Sequence, residues 1–179
     1  MTQSEKNSVL NLQPDEYGEY YTVYIRHVEY SDIEVQLKEN RKSAMTLFGS
    51  LDDEKALLRY EEGKWSVKEV LGHVMDTERI FTYRALALAR GETEPLAGYD
   101  HNQYVKEAGF DRFGVDELIE QYKNTRSSTL SLFQSFDGKE LVKRGVVNGS
   151  NFTVRGLGVV VAGHELHHLN ILRDRYLDL

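Results

Sequence analysis

Residues 153–177 read TVRGLGVVVAGHELHHLNILRDRYL and have the pattern of one long amphipathic helix. Thr153 is suited to cap the helix, because its hydroxyl can accept a hydrogen bond from a free backbone N–H group of the first turn. The apolar positions recur at helical spacing and share one face: Val154, Leu157, Val160, Val161, Ile171 and Leu172. This stretch predicts a helix over 154–177 whose apolar face packs in a core.

Three further segments show the same period, over residues 31–49, 66–90 and 115–136. Ser31 or Asp32 can cap the first segment. The second begins with Ser66 and Glu69, which form a capping box, and Gly91 suits the left-handed conformation that ends a helix. No strand pattern is evident elsewhere, apart from a weak turn at residues 146–149. The sequence therefore predicts an all-α fold built from four long helices.

The link over residues 91–114 between the second and third helices is much longer than the roughly 2–8 residues of a tight bundle turn. A helix of about 25 residues is about 37 Å long, and an extended link can return along it. This length predicts a four-helix bundle with up-down-down-up connectivity and a long crossover between helices 2 and 3. The link contains Tyr99 and His101, so it can be a plain surface loop or can cover a site.

Residues 1–30 are interpreted as an N-terminal extension with a short tyrosine-rich helix, before a bundle over residues 31–179. Helical spacing relates Tyr17, Tyr20, Tyr21, Tyr24 and Val28. Such a stripe is more typical of packing on a core than of stacking on a cofactor. The whole chain is expected to form a single domain.

Composition excludes several classes of site. With 22 basic and 29 acidic residues the net charge is −7, which argues against nucleic-acid binding. The chain has no cysteine, so disulfides, thiolate metal sites and cysteine nucleophiles are excluded. No apolar run is long enough to span a membrane and the N-terminus lacks the features of a signal peptide, so we expect a cytoplasmic protein without a membrane partner.

The histidines give the strongest chemical signal. His164 and His168 lie one turn apart on the apolar face of the last helix, and His73 lies in the apolar stripe of the second. Buried imidazoles need partners, and one metal ion would supply a partner to all three. The alternative is that side chains satisfy them. His167 lies on the flank, and a fourth ligand would have to come from Asp76, Glu165 or His167.

The run His164-Glu165-Leu166-His167-His168 also matches the H-E-x-x-H motif of zinc peptidases, with Glu165 as the general base. Ile171 and Asp174 stand where the longer metzincin motif has glycine and histidine, so a peptidase is a weak alternative. Arg84, Arg126 and Arg155 are candidates for holding an anionic thiol or substrate, although a solvated helix face is the more frequent role of such residues.

The blocks GKWSVKEVLGHVMDTERIFTYRALALARGE and NGSNFTVRGLGVVVAGHELHHLNILRDRYL together resemble the DinB-like superfamily, particularly its YfiT-type members. The resemblance covers nearly the whole chain. It implies a four-helix bundle of up-down-down-up connectivity and a divalent metal held by three histidines, which are His73, His164 and His168 here.

Relatives in this superfamily include transferases and isomerases that use a low-molecular-weight thiol. By that analogy we expect a metal-dependent S-transferase that takes a small-molecule thiol and a small electrophile, with one zinc or nickel ion as cofactor. A hydrolase that uses metal-bound water and a non-catalytic metal-binding stress-response protein are the alternatives. A homodimer is compatible with the sequence, but no particular residue indicates one.

Overall fold

Four long helices dominate the computed structural model, which describes residues 12–177. The elements follow one another in the order α1 (Thr22–Ile25), α2 (Ile33–Phe48), α3 (Val67–Ala89), α4 (His101–Ala108), α5 (Val115–Ser135), α6 (Gly138–Leu141), β1 (Arg144–Val147), β2 (Ser150–Thr153) and α7 (Val154–Arg175). The four predicted long helices are thus present as α2, α3, α5 and α7, each within two residues of its expected bounds. No helix in residues 12–177 combines the length and apolar character needed to cross a membrane.

The helices begin and end at the capping residues that the sequence predicts, and the structure confirms these caps. The Asp32 carboxylate accepts hydrogen bonds from the backbone of Glu34 and Val35 at the start of α2. Ser66 and Glu69 form the expected capping box of α3, and Thr153 caps α7. Gly91 has a φ of 93°, a left-handed conformation that glycine adopts without steric cost.

Two clusters of buried apolar side chains give the direction of each long helix. One cluster joins the start of α2, the ends of α3 and α5 and the start of α7, through Leu37, Leu88, Phe133 and Leu157. The other joins the end of α2, the starts of α3 and α5 and the end of α7, through Leu47, Leu71, Leu118 and Leu172. Consequently α3 and α5 run in the same direction, and α2 and α7 run opposite to them.

The crossover between α3 and α5 is more ordered than a surface loop. Asp100 caps α4, and Gly109, with a φ of 59°, ends it. A side chain at Gly72 of α3 would come within 2.3 Å of the Phe110 ring, so this glycine lets the crossover lie directly on the helix. The sequence pattern does not predict α4, although Asp100 and Gly109 are residue types typical of helix ends.

A two-stranded antiparallel hairpin departs from the expected absence of strands. Strands β1 and β2 pair through a two-residue turn at Asn148 and Gly149, whose φ values are 49° and 76°. Positive φ at both turn residues is typical of the tight turns that join hairpin strands. The turn was recognised in the sequence, but four-residue strands are too short for a reliable alternation pattern.

The predicted tyrosine-rich helix is wrong in its continuity. Gly18 is extended, with φ −68° and ψ 139°, and separates the 3-10 turns at Pro14–Glu16 and Glu19–Tyr21. Tyr21 packs edge-on against Phe81 and Phe152, as core packing predicts. Tyr20 is 67% exposed, because the break in the helix turns it away from the core.

The N-terminal segment that the structure describes, from residue 12 onwards, lies directly on α7. A side chain at Gly163 would come within 2.4 Å of the Tyr24 carbonyl oxygen, so only glycine permits this approach. Of the predicted extension over residues 1–30, the first 11 residues lie outside the described part of the chain. The division into an extension and a bundle stays a prediction.

Arg126 lies at the centre of the bundle. This fully buried side chain donates two hydrogen bonds to Glu78 of α3, one to Glu165 of α7 and one to the Leu37 carbonyl of α2, at 2.7–2.9 Å. The Tyr122 hydroxyl donates to the other Glu165 oxygen at 2.6 Å. The preferred interpretation of Arg126 as part of a solvated helix face is therefore wrong.

We predict that Arg126→Met lowers the free energy of unfolding by about 3–5 kcal/mol, because two buried carboxylates would lose their compensating charge. Urea unfolding followed by circular dichroism measures this change. Lys123→Met is the matched control, since Lys123 lies on the same helix in an exposed pair with Glu120. That control should change stability by less than about 1 kcal/mol. Similar effects of the two substitutions would contradict a central role for Arg126.

Candidate metal centre

His73, His164 and His168 converge on one point, as the sequence analysis expects. His73 comes from α3, and the other two lie one turn apart on α7. One ring nitrogen of each lies within 4.8 Å of the others. The Nε2 atom of His164 is 3.0 Å from that of His73 and 3.2 Å from that of His168. His73 and His164 are each 6% exposed, and His168 is half-buried.

The spacing and chemistry of this donor set fit a transition metal ion. Imidazole nitrogens bound at 2.0–2.1 Å to a tetrahedral ion lie about 3.3 Å apart, so the two pairs that involve His164 need only a small outward adjustment. His164 Nε2 lies within hydrogen-bond distance of the other two Nε2 atoms, and neutral imidazoles offer only one N–H group each. A bound ion would engage all three lone pairs.

Burial prepares the three imidazoles for ligation. Loss of hydration lowers the pKa of His73 to about 3, with the His101 charge adding to the effect. Burial also holds the pKa values of His164 and His168 well below the ordinary histidine value, and the neighbouring histidines add to this. All three rings are therefore neutral near pH 7, the form that binds metal.

A hydroxyl chain extends from the cluster to the crossover. Thr77 Oγ1 lies 3.5 Å from His73 Nδ1, at the outer limit of a hydrogen bond, and 2.8 Å from the Tyr99 hydroxyl. Partners of this kind orient a metal-binding histidine through its second nitrogen. The sequence names Tyr99 in the link that can cover a site, but it predicts neither the contact of Thr77 with His73 nor that of Tyr99 with Thr77. The position of Thr77 four residues after His73 was a usable signal, whereas Tyr99 reaches the cluster only through the tertiary fold.

None of the other sequence candidates belongs to the group of converging ligand atoms, although the His167 ring packs edge-on against His168 with 5.2 Å between ring centres. His167 packs against Tyr24 and His27, and Asp76 pairs with Arg79. Glu165 points into the bundle, where both of its oxygens are engaged by Tyr122 and Arg126. In residues 12–177 the only group of three or more potential ligands is the histidine triad.

The zinc-peptidase interpretation fails on the position of Glu165. A general base must face the metal-bound water, but Glu165 lies on a different face of α7 from the histidines. Burial raises the pKa of its carboxyl, opposed by the charge of Arg126. Its role is to hold the bundle together.

A cavity of about 480 Å³ opens on the triad. Its walls are mostly aromatic, formed by Tyr20, Tyr21, Tyr24, Trp65, Phe81 and Tyr99. Tyr99 and the exposed His101 belong to the crossover and line this cavity. The structure therefore supports the interpretation of the crossover as a segment that covers a site, and not as a plain surface loop. Arg84 also lines the cavity, whereas Arg155 pairs with Glu16 in the N-terminal segment.

Comparison with known proteins agrees with this architecture. The family profile of the DinB superfamily matches residues 36–172. The chain belongs to the DinB superfamily. A search of curated proteins gives no significant match to this DinB-superfamily chain.

Among solved structures, the chain is similar to YfiT from Bacillus subtilis, described as a probable metal-dependent hydrolase with an unusual four-helix bundle topology. The TM-score is 0.68, and the alignment covers 96% of this chain and 97% of that one. Because the two sequences are only 14% identical, the match establishes the DinB-type fold alone.

We expect His73→Ala, His164→Ala and His168→Ala each to abolish stoichiometric metal binding, since a three-ligand site cannot lose one imidazole and keep its geometry. His167→Ala is the matched control, because its ring packs on Tyr24 outside the cluster. Mass spectrometric metal analysis of protein purified without chelator measures the content. Loss of metal from the His167 variant, with retention by the His168 variant, would show that the ligands on α7 are His164 and His167 rather than His164 and His168.

The metal-free protein should lose stability as the pH falls from 7 to 5. In this window the unfolded histidines take up protons, since their ordinary pKa is about 6.5, while His73, with its pKa near 3, stays neutral in the folded state. The unfolded state then binds more protons, so the free energy of unfolding falls by about 2 kcal/mol for His73 alone. Urea unfolding at several pH values tests this, and His73→Leu should show a correspondingly smaller slope. Equal slopes would contradict a buried, neutral His73.

Proposed function

We propose that this chain is a metal-dependent enzyme that transfers a low-molecular-weight thiol to a small electrophile, with one zinc or nickel ion held by His73, His164 and His168. The observation that carries the proposal is that the three histidines face a cavity rather than a fourth protein ligand. Structural zinc sites are closed by four ligands, whereas catalytic sites leave a position for water or substrate. Within residues 12–177 no fourth ligand completes the triad, so the site is better suited to catalysis than to a purely structural role.

The cavity has the size and lining for two small reactants. Its volume of about 480 Å³ lies within the usual range for small-molecule sites. A zinc-type ion, when bound, lowers the pKa of a coordinated thiol or water and so supplies a nucleophile near neutral pH. The chain has no cysteine, so a thiol nucleophile would come from a small molecule.

The side chains around the triad orient the reactants and exclude water. Trp65 packs against His73 with 4.7 Å between ring centres, which restricts the imidazole on its cavity side. Thr77 and Tyr99 restrict the same ring through its Nδ1 atom. Phe81 and the remaining tyrosines give the apolar part of a substrate a dry surface.

Hydrolysis by metal-bound water is the second candidate, and the fold shared with YfiT favours it, because that protein is described as a probable metal-dependent hydrolase. The same three histidines would serve both reactions. The two differ in whether a thiol or a water molecule occupies the open position.

The test uses zinc- or nickel-loaded protein with 1-chloro-2,4-dinitrobenzene and either glutathione or bacillithiol, beside 4-nitrophenyl acetate without a thiol. We expect thiol-dependent conjugation that is lost with a chelator and reduced at least about 100-fold in His168→Ala, because one ligand of the ion is missing. His167→Ala should retain the activity. Ester hydrolysis without conjugation would replace the transferase by the hydrolase, and the absence of both would favour a non-catalytic metal-binding protein.

A further inference from the structure

Arg84 is a buried cation that pairs with no carboxylate in the part of the chain that the structure describes. Its side chain is 3% exposed, yet it lines the cavity. One N–H group of its guanidinium donates to the Ala97 carbonyl at 2.7 Å, and the group lies over the rings of Phe81 and Tyr99. In residues 12–177 no carboxylate lies within 4 Å of it, and the ionisable side chains that act on its charge are tyrosines, among them Tyr21 and Tyr99.

The other two arginines that the sequence analysis singled out are neutralised. Arg126 is paired with Glu78 and Glu165, and Arg155 is paired with Glu16. An unpaired buried charge costs stability unless something compensates it. Arg84 therefore differs from both in having a charge that the described part of the chain leaves uncompensated, inside a cavity large enough for a ligand.

The position of Arg84 defines the length of that ligand. Its guanidinium lies 4.9 Å from the centre of the Phe81 ring, and Phe81 follows His73 by eight residues on α3. At 1.5 Å per residue, the two levels are about 12 Å apart along the helix axis. Aromatic rings of Tyr21, Phe81 and Tyr99 lie in the walls of the same cavity. A molecule that reaches both ends is elongated, with an apolar middle.

We propose that Arg84 forms a carboxylate subsite, which holds the acid group of an elongated organic acid while the other end of the molecule lies at the three histidines. The planar guanidinium fork matches a carboxylate, and only one of its N–H groups is engaged by Ala97. Asn148 and Ser150 of the hairpin line the cavity and add polar groups. A single cation among neutral tyrosines matches a monoanionic carboxylate better than a doubly charged phosphate.

The inference rests on the proposed function only in one respect, namely which part of the ligand lies at the three histidines. The acid group can belong to the thiol or to the electrophile. In either case the charge on Arg84 selects an acid over its neutral analogue, and this selection does not require metal or turnover.

Trp65 provides the measurement, because it is the only tryptophan of the chain and lines the same cavity. Chelator-treated protein is titrated with 4-phenylbutyrate and with its neutral analogue 4-phenyl-1-butanol, and tryptophan fluorescence is followed. We expect the acid to bind about 10–100-fold more tightly than the alcohol, the range for a hydrogen bond to a charged group. Arg84→Met should reduce this preference to near unity, and Arg84→Lys should keep part of it. Arg79→Met is the matched control, since Arg79 lies exposed on the same helix, and it should keep the full preference.

A stability measurement separates a ligand-binding role from a structural one. If Arg84 serves a ligand, Arg84→Met in the ligand-free protein should unfold at the same temperature as the wild type or higher, because the substitution removes an unpaired buried charge. A lower unfolding temperature for this variant, combined with an unchanged acid preference, would assign Arg84 to structure. The wild-type preference can be measured even if the variant fails to fold, and no preference for the acid would also overturn the subsite.

Matched thiols identify which reactant carries the acid group. The metal-loaded protein is titrated with 6-mercaptohexanoate and with 6-mercapto-1-hexanol. An Arg84-dependent preference for the acid would support the subsite and assign the carboxylate to the thiol. Equal binding of the two thiols, with the preference for 4-phenylbutyrate retained, would support the subsite and assign it to the electrophile. Because the first experiment uses metal-free protein, a lack of enzymatic activity would refute the proposed function without affecting this result.

Discussion

The ion cluster of Arg126 joins the interior of the bundle across all four long helices. Its partners come from α2, α3 and α7, while Arg126 and Tyr122 belong to α5. Removal of these charges from water is costly, and the cost is offset only when the hydrogen bonds are complete. The bonds to Glu165 fix the rotation of α7 about its axis. Because neighbouring residues on a helix differ by about 100°, the same rotation turns His164 towards the cavity.

The histidine triad therefore depends on an interaction that contains none of its members. Glu165 is adjacent in sequence to His164, and Glu78 lies five residues beyond His73 on α3. Arg126 binds both carboxylates, so it sets α3 and α7 in the register that brings His73 opposite His164. The three histidine side chains thus project from two helices that the ion cluster holds in place, which is how rigid sites are built.

Sequence reasoning located the features that depend on local spacing. Caps such as Ser66 and Thr153 act on backbone groups within three residues, and the period of α7 places His164 beside His168. It failed where polar residues make distant contacts. Arg126 lies 48 residues from Glu78 and 39 from Glu165, and nothing in the amphipathic pattern of α5 distinguishes it from a solvated arginine. The sequence pattern also did not predict the break at Gly18 in the tyrosine-rich segment, because spacing alone does not show whether a glycine continues a helix.

Two buried arginines illustrate how the same energetic rule gives different roles. Arg126 has its charge balanced by carboxylates on neighbouring helices, so it stabilises the packing of the bundle. Arg84 has none within 4 Å in residues 12–177, and it lies in a cavity whose walls come from α3 and α7 together with the N-terminal segment, the crossover and the hairpin. The four long helices thus supply the three histidines, while the segments around them complete the cavity. Changes in those segments can alter the shape of the cavity without disturbing the triad, because the ion cluster that positions the histidines lies wholly within the four long helices.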